Sequence, residues 1–83
     1  MSIIKDFEEA IVEAENDVNY EDNLNEKIAF IEGIFASLSI SYDFEEQWDI
    51  VNRAYQRVQS TPVKDRLKKE LSEIEKFMNG DYI

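Results

Sequence analysis

Carboxylates are the side chains in this sequence whose number and spacing suggest a chemical or binding function. Residues 5–22, KDFEEAIVEAENDVNYED, hold eight acidic residues and one lysine, with apolar residues at every third or fourth place. Carboxylates so spaced could act as acid and base in a reaction, hold a cation, or present a negative surface to a basic partner. The rest of the sequence helps to choose among these three uses.

The sequence argues against catalysis. It contains no histidine and no cysteine, so proton transfer and nucleophilic attack would depend on carboxylate, lysine, tyrosine or serine side chains. A serine–lysine arrangement stays formally open, but no spacing selects two carboxylates that would be buried together. The two glycines, Gly33 and Gly80, do not form a phosphate-binding loop. We therefore predict a protein that is not an enzyme and has no cofactor.

A cation site is the second possibility, and one polar stretch comes nearest to it. Asp17, Asn19 and Glu21 occupy the first, third and fifth positions of a calcium-binding loop. The sixth position is Asp22, where such a loop needs glycine, and the twelfth is Ile28, where it needs a bidentate glutamate. The match fails, and we predict no metal site.

The third possibility is an acidic docking surface. On a helical wheel, the acidic residues of the first helix surround a narrow apolar stripe and have almost no basic residues among them. A face that only aids solubility normally interleaves both signs of charge. A purely solvated face is the competing interpretation, and it is the commoner reason for a run of charge. Tyr20 could anchor an interface or fold back onto the helices. The residues predicted to bind a partner are Glu8, Glu9, Glu13, Glu15, Asp17, Tyr20, Glu21 and Asp22.

The charge of the whole chain bears on the kind of partner. The formal net charge is −10; residues 1–50 hold fourteen acids and two bases, whereas residues 51–83 hold five acids and seven bases. A protein with a basic surface fits this balance, while direct binding of nucleic acid or an anionic membrane does not. The sequence shows no signal peptide and no membrane-spanning run, and its lack of cysteine favours a reducing, cytoplasmic compartment.

Four amphipathic helices are expected to position these residues. Apolar residues recur at intervals of three and four over residues 3–18, 23–39, 43–60 and 62–79. Short connections between such helices predict antiparallel neighbours in an all-α bundle that forms one domain, residues 1–83. A three-helix bundle with a kinked last helix is the alternative, because the third and fourth patterns nearly join.

Residue types at the helix ends support these boundaries. The stretch DFEE at residues 43–46 matches the aspartate form of a capping box. We expect Thr61 to cap the fourth helix, with Pro62 in its first position. Gly80 follows the last helical residue, as glycine commonly does at a helix C-terminus.

The predicted core combines the inward faces of all four helices. The second helix is expected to be the most buried, because Phe30 and Ile34 widen its apolar arc. Aromatic residues at helical spacing, Phe44 among them, are expected inside. The predicted core residues are Phe7, Ile11, Ile28, Ile31, Phe35, Trp48, Val51, Leu67, Leu71 and Ile74.

The fourth helix suggests an alternative function. Leu67, Leu71, Ile74 and Met78 follow four–three–four spacing, as in the seam of a coiled coil, and Phe77 lies beside them. Two heptads also fit ordinary burial within a bundle. The alternative is therefore a structural subunit that forms a homodimer or larger assembly through these five residues.

In size, acidity and helical pattern the chain resembles, as a loose class, two groups of proteins: small helical inhibitors and immunity proteins, and the small acidic proteins that phages direct against host machinery. The likeness is one of composition and covers no specific motif or residue. It implies a protein that binds and restrains another protein. The function predicted from the sequence is thus a non-enzymatic inhibitor or adaptor that binds the basic surface of a protein partner.

Overall fold

Four α-helices dominate the computed structural model, which describes residues 3–16 and 24–80, with side chains from residue 6 onward in the first segment. They are α1 (Ile3–Asn16), α2 (Leu24–Ser41), α3 (Phe44–Arg57) and α4 (Thr61–Asn79). These described residues contain no strand, so the predicted all-α bundle of four helices is confirmed.

The helix ends show why each helix begins and stops where it does. Asp43 Oδ1 accepts the Glu46 N–H at 2.9 Å, as the capping pattern predicts. Gly80 adopts the left-handed conformation with φ of 71°, and its N–H caps α4 at the carbonyls of Lys76 and Phe77. α2 runs on to Ser41, past its predicted end, and the Ser39 hydroxyl donates to the Ala36 carbonyl within the helix.

The connection between α3 and α4 is a sharp corner between two separate helices. Val58 and Ser60 both have extended backbone, with ψ of 151° and 126°. Ser60 is the N-cap of α4, which corrects the prediction of Thr61, and its side chain makes no capping hydrogen bond. Pro62 is therefore the second residue of the helix, one position later than predicted, and still in the first turn, where its missing N–H costs nothing.

Side-chain contacts fix the relative directions of the helices. α1 is parallel to α3, because Phe7 near the start of α1 contacts Tyr42 just before α3, and Glu15 near the end of α1 binds Ser60 just after α3. α4 is antiparallel to α3, since Phe77 near the end of α4 stacks on Phe44 at the start of α3. α2 is antiparallel to α1, because Lys27 near the start of α2 donates to the Glu15 carbonyl near the end of α1. The N-termini of α1 and α3 and the C-terminus of α4 therefore share one end of the bundle.

All four helices contribute to one core. Six of the ten predicted residues are buried, including Ile11, Ile31 and Leu67, which are fully buried. The other four, Phe7, Ile28, Trp48 and Leu71, are partly buried and pack against that core. The core also includes Ala14, Ile34, Leu38, Ile50, Ala54, Val58 and Val63.

The inward face of α3 is rotated from the predicted one. Its buried residues are Gln47, Ile50, Val51 and Ala54, whereas Trp48 and Tyr55 lie at the edges. Gln47 is tolerated inside because its Nε2 donates to the Tyr42 carbonyl at 2.7 Å. The rotation carries Phe44 outward to 41% exposure, so its predicted burial is wrong.

The prediction that α2 is the most buried helix is also wrong. Phe30 is 48% exposed and Ile40 is 87% exposed. One face of α2 packs inward through Ile31, Ile34, Phe35 and Leu38, and the opposite face meets solvent. An apolar residue on a helix is buried only if another element covers its face, and the described residues cover one face of α2.

Candidate functional site

Glu15, which the sequence assigns to partner binding, lies inside the fold. It is 8% exposed, and its Oε2 accepts the backbone N–H of Gln59 at 2.8 Å and that of Ser60 at 2.6 Å. These two donors lie at the corner before α4, where helix geometry leaves N–H groups without carbonyl partners. The carboxylate therefore holds the corner together and is not available at the surface.

Glu8 and Glu9 have a counter-charge that the local sequence does not reveal. Arg57 Nη1 on α3 lies 2.6 Å from a carboxylate oxygen of each residue. Hydrogen bonds to Glu9 first and then Glu8 raise the pKa of Arg57 above its ordinary value. The first acids of α1 therefore do not form an unbroken negative face, because Arg57 of another helix supplies a positive charge beside them.

The acidic surface of the described residues is therefore narrower than predicted. Glu13 is exposed, Glu9 keeps part of its side chain in solvent, and Asp6 lies exposed on the same outer side of α1. The remaining predicted partner-binding residues, Asp17, Tyr20, Glu21 and Asp22, lie outside the described residues.

The stripe proposed for self-association divides into two parts. Leu67 is fully buried and Ile74 is 4% exposed, while Leu71 packs against the core. Leu67 and Ile74 are therefore used within the fold, whereas Leu71 keeps part of its surface exposed. Phe77 and Met78, at the end of α4, are 42% and 43% exposed.

An open groove is formed by described residues at one end of the bundle. The rings of Phe44 and Phe77 are stacked, with centroids 5.2 Å apart and planes 10° from parallel. Met78 lies next to Phe77 and extends the apolar surface. The groove has a volume of about 420 Å³, and its lining is completed by Asp43, Glu45 and Asn79.

The groove combines an apolar floor with negative charge. Asp43 and Glu45 bring two carboxylates to its lining, and both side chains belong to exposed residues. The C-terminal end of α4, which carries the negative end of the helix dipole, lies in the same place. Asp6 of α1 is at this end of the bundle too, as the helix directions require. A ligand with a cationic group and an apolar stem matches these features.

The sequence does carry a signal for this groove. Residues 47, 50, 51, 54 and 58 follow the spacing of one helical face, and this alternative face leaves Phe44 outside. The aromatic residues favour the neighbouring face instead, which is why the prediction places Phe44 inside. The partner ring, Phe77, could not be located, because its approach to Phe44 depends on how α3 and α4 pack.

Comparison with known proteins adds no relative. No protein-family model, no curated protein and no solved structure matches the chain.

In residues 3–16 and 24–80, no cluster of three or more acidic side chains could hold a metal ion. Within the same described portion, no helix has the length and apolar character needed to cross a membrane.

Proposed function

We propose that the protein is a non-enzymatic interaction module that binds a basic segment of another protein in the groove lined by Phe44, Phe77 and Met78. The observation that carries the proposal is the exposed, stacked pair of phenyl rings with carboxylates beside it. Large apolar side chains gathered at the surface mark interaction sites more often than scattered ones do. The two carboxylates beside the rings favour a partner segment that carries positive charge.

The chemistry of the groove favours lysine or arginine side chains in the bound segment. Their charged groups are attracted to aromatic faces and carboxylates, and their aliphatic stems cover apolar surface. The fold already uses this chemistry twice. The Arg66 guanidinium lies 5.0 Å from the ring centroid of Phe35, and Lys64 Nζ lies 4.5 Å from that of Tyr55.

The charge of the chain supports the same partner at longer range. A formal net charge of −10 attracts a basic protein before contact and repels acidic competitors. Asp6 and Glu13 on the outer side of α1 contribute to this field. In this proposal the α1 acids speed the encounter, whereas the groove holds the bound segment.

Two roles follow from such binding. An inhibitor would cover a basic surface that the partner needs for its own interactions, which is the role implied by the loose likeness to small acidic antagonists. An adaptor would bind the same segment and leave the partner active. Adding the purified protein to an assay of the partner's activity separates these roles, because only the inhibitor reduces that activity in proportion to occupancy.

The test is a titration of the isotope-labelled protein with two synthetic peptides, followed by NMR. One peptide alternates lysine with leucine, and the other replaces every lysine with glutamate. We expect the basic peptide to shift the amide signals of residues 43–46 and 77–79 in a saturable manner. The acidic peptide should cause no such shifts.

Two matched variants locate the site. Phe77→Ala removes one of the stacked rings, and Phe30→Ala makes the same change on α2, away from the groove. The proposal expects Phe77→Ala to weaken binding of the basic peptide at least about tenfold, and Phe30→Ala to leave it unchanged. Shifts confined to Asp6, Glu9 and Glu13 would instead assign binding to the acidic face of α1. No saturable shift with the basic peptide would overturn the proposal.

A further inference from the structure

Arginine and lysine side chains have different partners within the described part of this fold. Each of the three arginines of the chain pairs with at least one carboxylate. The pairs are Arg53 with Asp49, Arg57 with Glu8 and Glu9, and Arg66 with Glu32 and Glu70. Among the lysines whose side chains the structure describes, none forms an ion pair with another described residue, and Lys27 and Lys64 donate to backbone carbonyls instead. The carboxylates of this fold are therefore paired with guanidinium groups.

The surroundings of Arg66 show what one such guanidinium site contains. Its Cζ atom lies 5.0 Å from the ring centroid of Phe35 on α2. Its Nε lies 3.0 Å from Glu32 Oε2 on α2, and its Nη1 lies 3.2 Å from Glu70 Oε1 on α4. The side chain of Arg66 is only 19% exposed. One phenyl ring and two carboxylates are thus enough to hold a largely covered arginine.

The groove at the end of the bundle brings together the same kinds of group. Asp43 and Glu45 directly precede and follow Phe44, and its described lining includes no lysine or arginine. Phe44 stacks on Phe77 and still keeps 41% of its surface exposed. Asp43 Oδ1 accepts the Glu46 N–H, which fixes the carboxylate at the groove and leaves its Oδ2 for a ligand. The groove therefore matches the surroundings of Arg66 without containing an arginine of its own.

We infer that the groove selects arginine over lysine in the bound segment, an inference that rests on the function proposed above. A guanidinium is planar, so it can lie against the Phe44 ring while its N–H groups, which point outward in the same plane, reach Asp43 and Glu45. The aliphatic part of the arginine then covers Met78. The ammonium group of lysine is a compact, strongly hydrated charge and lacks this fork of donors.

Lys64 shows how a lysine interacts with an aromatic ring in this fold. Its Nζ lies 4.5 Å from the ring centroid of Tyr55, and it donates at 3.0 Å to the Tyr55 carbonyl, not to a carboxylate. An aromatic ring thus attracts either cation, as the Arg66 and Lys64 contacts both show. The two carboxylates of the groove are the groups that distinguish arginine from lysine.

The test compares three peptides that differ in one type of side chain. They alternate leucine with lysine, with arginine, or with citrulline, which has nearly the shape of arginine without its charge. Isothermal titration calorimetry with the full chain measures each Kd. We expect the arginine peptide to bind at least about fivefold more tightly than the lysine peptide, and the citrulline peptide to bind more weakly than both.

The outcomes separate this inference from the proposed function. Equal Kd values for the arginine and lysine peptides overturn the selectivity and leave the proposed function intact. A citrulline peptide that binds as tightly as the arginine peptide also overturns the selectivity, because charge would then play no part. Binding of neither basic peptide overturns the proposed function and the selectivity together.

Three single variants locate the selectivity. Asp43→Asn and Glu45→Gln each remove one charge from the groove, and asparagine at residue 43 keeps an acceptor for the cap of α3. Glu46→Gln makes the same change at an exposed neighbouring position outside the lining. We expect each groove variant to lower the ratio of the lysine-peptide Kd to the arginine-peptide Kd toward one, and Glu46→Gln to leave that ratio unchanged.

This ratio is informative because a loss of general attraction weakens both basic peptides alike. A ratio that both groove variants leave at the wild-type value overturns recognition of arginine by these carboxylates. An equal fall in the ratio for Glu46→Gln overturns it as well, since that side chain lies outside the lining.

Discussion

At the scale of single residues, the carboxylates of α1 have three different environments. Glu15 is buried and accepts two backbone N–H groups at the α3–α4 corner. Glu8 and Glu9 share Arg57 at the boundary with α3. Glu13 faces solvent. The same carboxylate chemistry thus stabilises the fold, forms an ion pair or stays in solvent, and the angle at which each residue leaves the helix decides which.

Glu15→Ala should lower the free energy of unfolding by about 2–3 kcal/mol, because two N–H groups at the corner lose a charged acceptor. Urea denaturation followed by circular dichroism measures the change. Glu13→Ala, made on the same helix at an exposed position, should stay within about 0.5 kcal/mol of the wild type. Equal destabilisation by the two changes would mean that the Glu15 carboxylate has no special role in the fold.

At the scale of elements, the two caps of α3 and α4 offer a direct comparison. Asp43 binds the Glu46 N–H with its side chain, whereas the side chain of the α4 cap, Ser60, makes no such bond. The backbone N–H of Ser60 is bound by Glu15 instead. The two N-caps therefore differ in whether the cap side chain stabilises its helix.

We expect Asp43→Ala to reduce the free energy of unfolding by about 1 kcal/mol, as loss of an N-cap acceptor typically does. Ser60→Ala should change it by less than about 0.5 kcal/mol, because no capping bond is lost. Thermal unfolding of the two variants under one condition provides the measurement. A larger loss for Ser60→Ala than for Asp43→Ala would contradict the cap geometry.

Local features of the sequence were enough to predict the four helices. Periodicity located them, and the DFEE stretch and Gly80 marked two of their ends, because these effects act within a few neighbouring residues. The buried position of Ile11 and Ile31 followed from the same periodicity. Such short-range information does not specify how one helix is rotated against another.

Features that join distant parts of the chain were missed for this reason. The Arg57 pair with Glu8 spans 49 positions, and the bond from Gln59 to Glu15 spans 44. The rotation of α3 that exposes Phe44 depends on packing against α1 and α4. The exposed face of α2 was missed because its apolar composition was interpreted as burial, although composition does not show which helix is covered.

At the scale of the whole molecule, the acidic outer side of α1 and the mixed surface of the groove are two distinct regions. The outer side of α1 carries exposed carboxylates, whereas the groove joins two phenyl rings to two carboxylates. In the function proposed above, the α1 acids attract the partner and the rings hold it. Salt should therefore weaken the encounter more than the contact in the groove, because screening weakens the attraction of opposite charges.

Association of the basic lysine–leucine peptide with the groove should slow as salt rises from about 0.02 M to about 0.5 M, since the Debye length falls below about 10 Å within this range. Stopped-flow fluorescence of a labelled peptide measures both rates. The double substitution Glu9→Gln and Glu13→Gln should reduce the association rate and its dependence on salt, because it removes two charges of the steering field. Phe77→Ala should act mainly on dissociation, since it removes contact surface after the encounter. An association rate that is the same at every salt concentration would contradict steering by the acidic surface, and would leave the groove alone to account for binding.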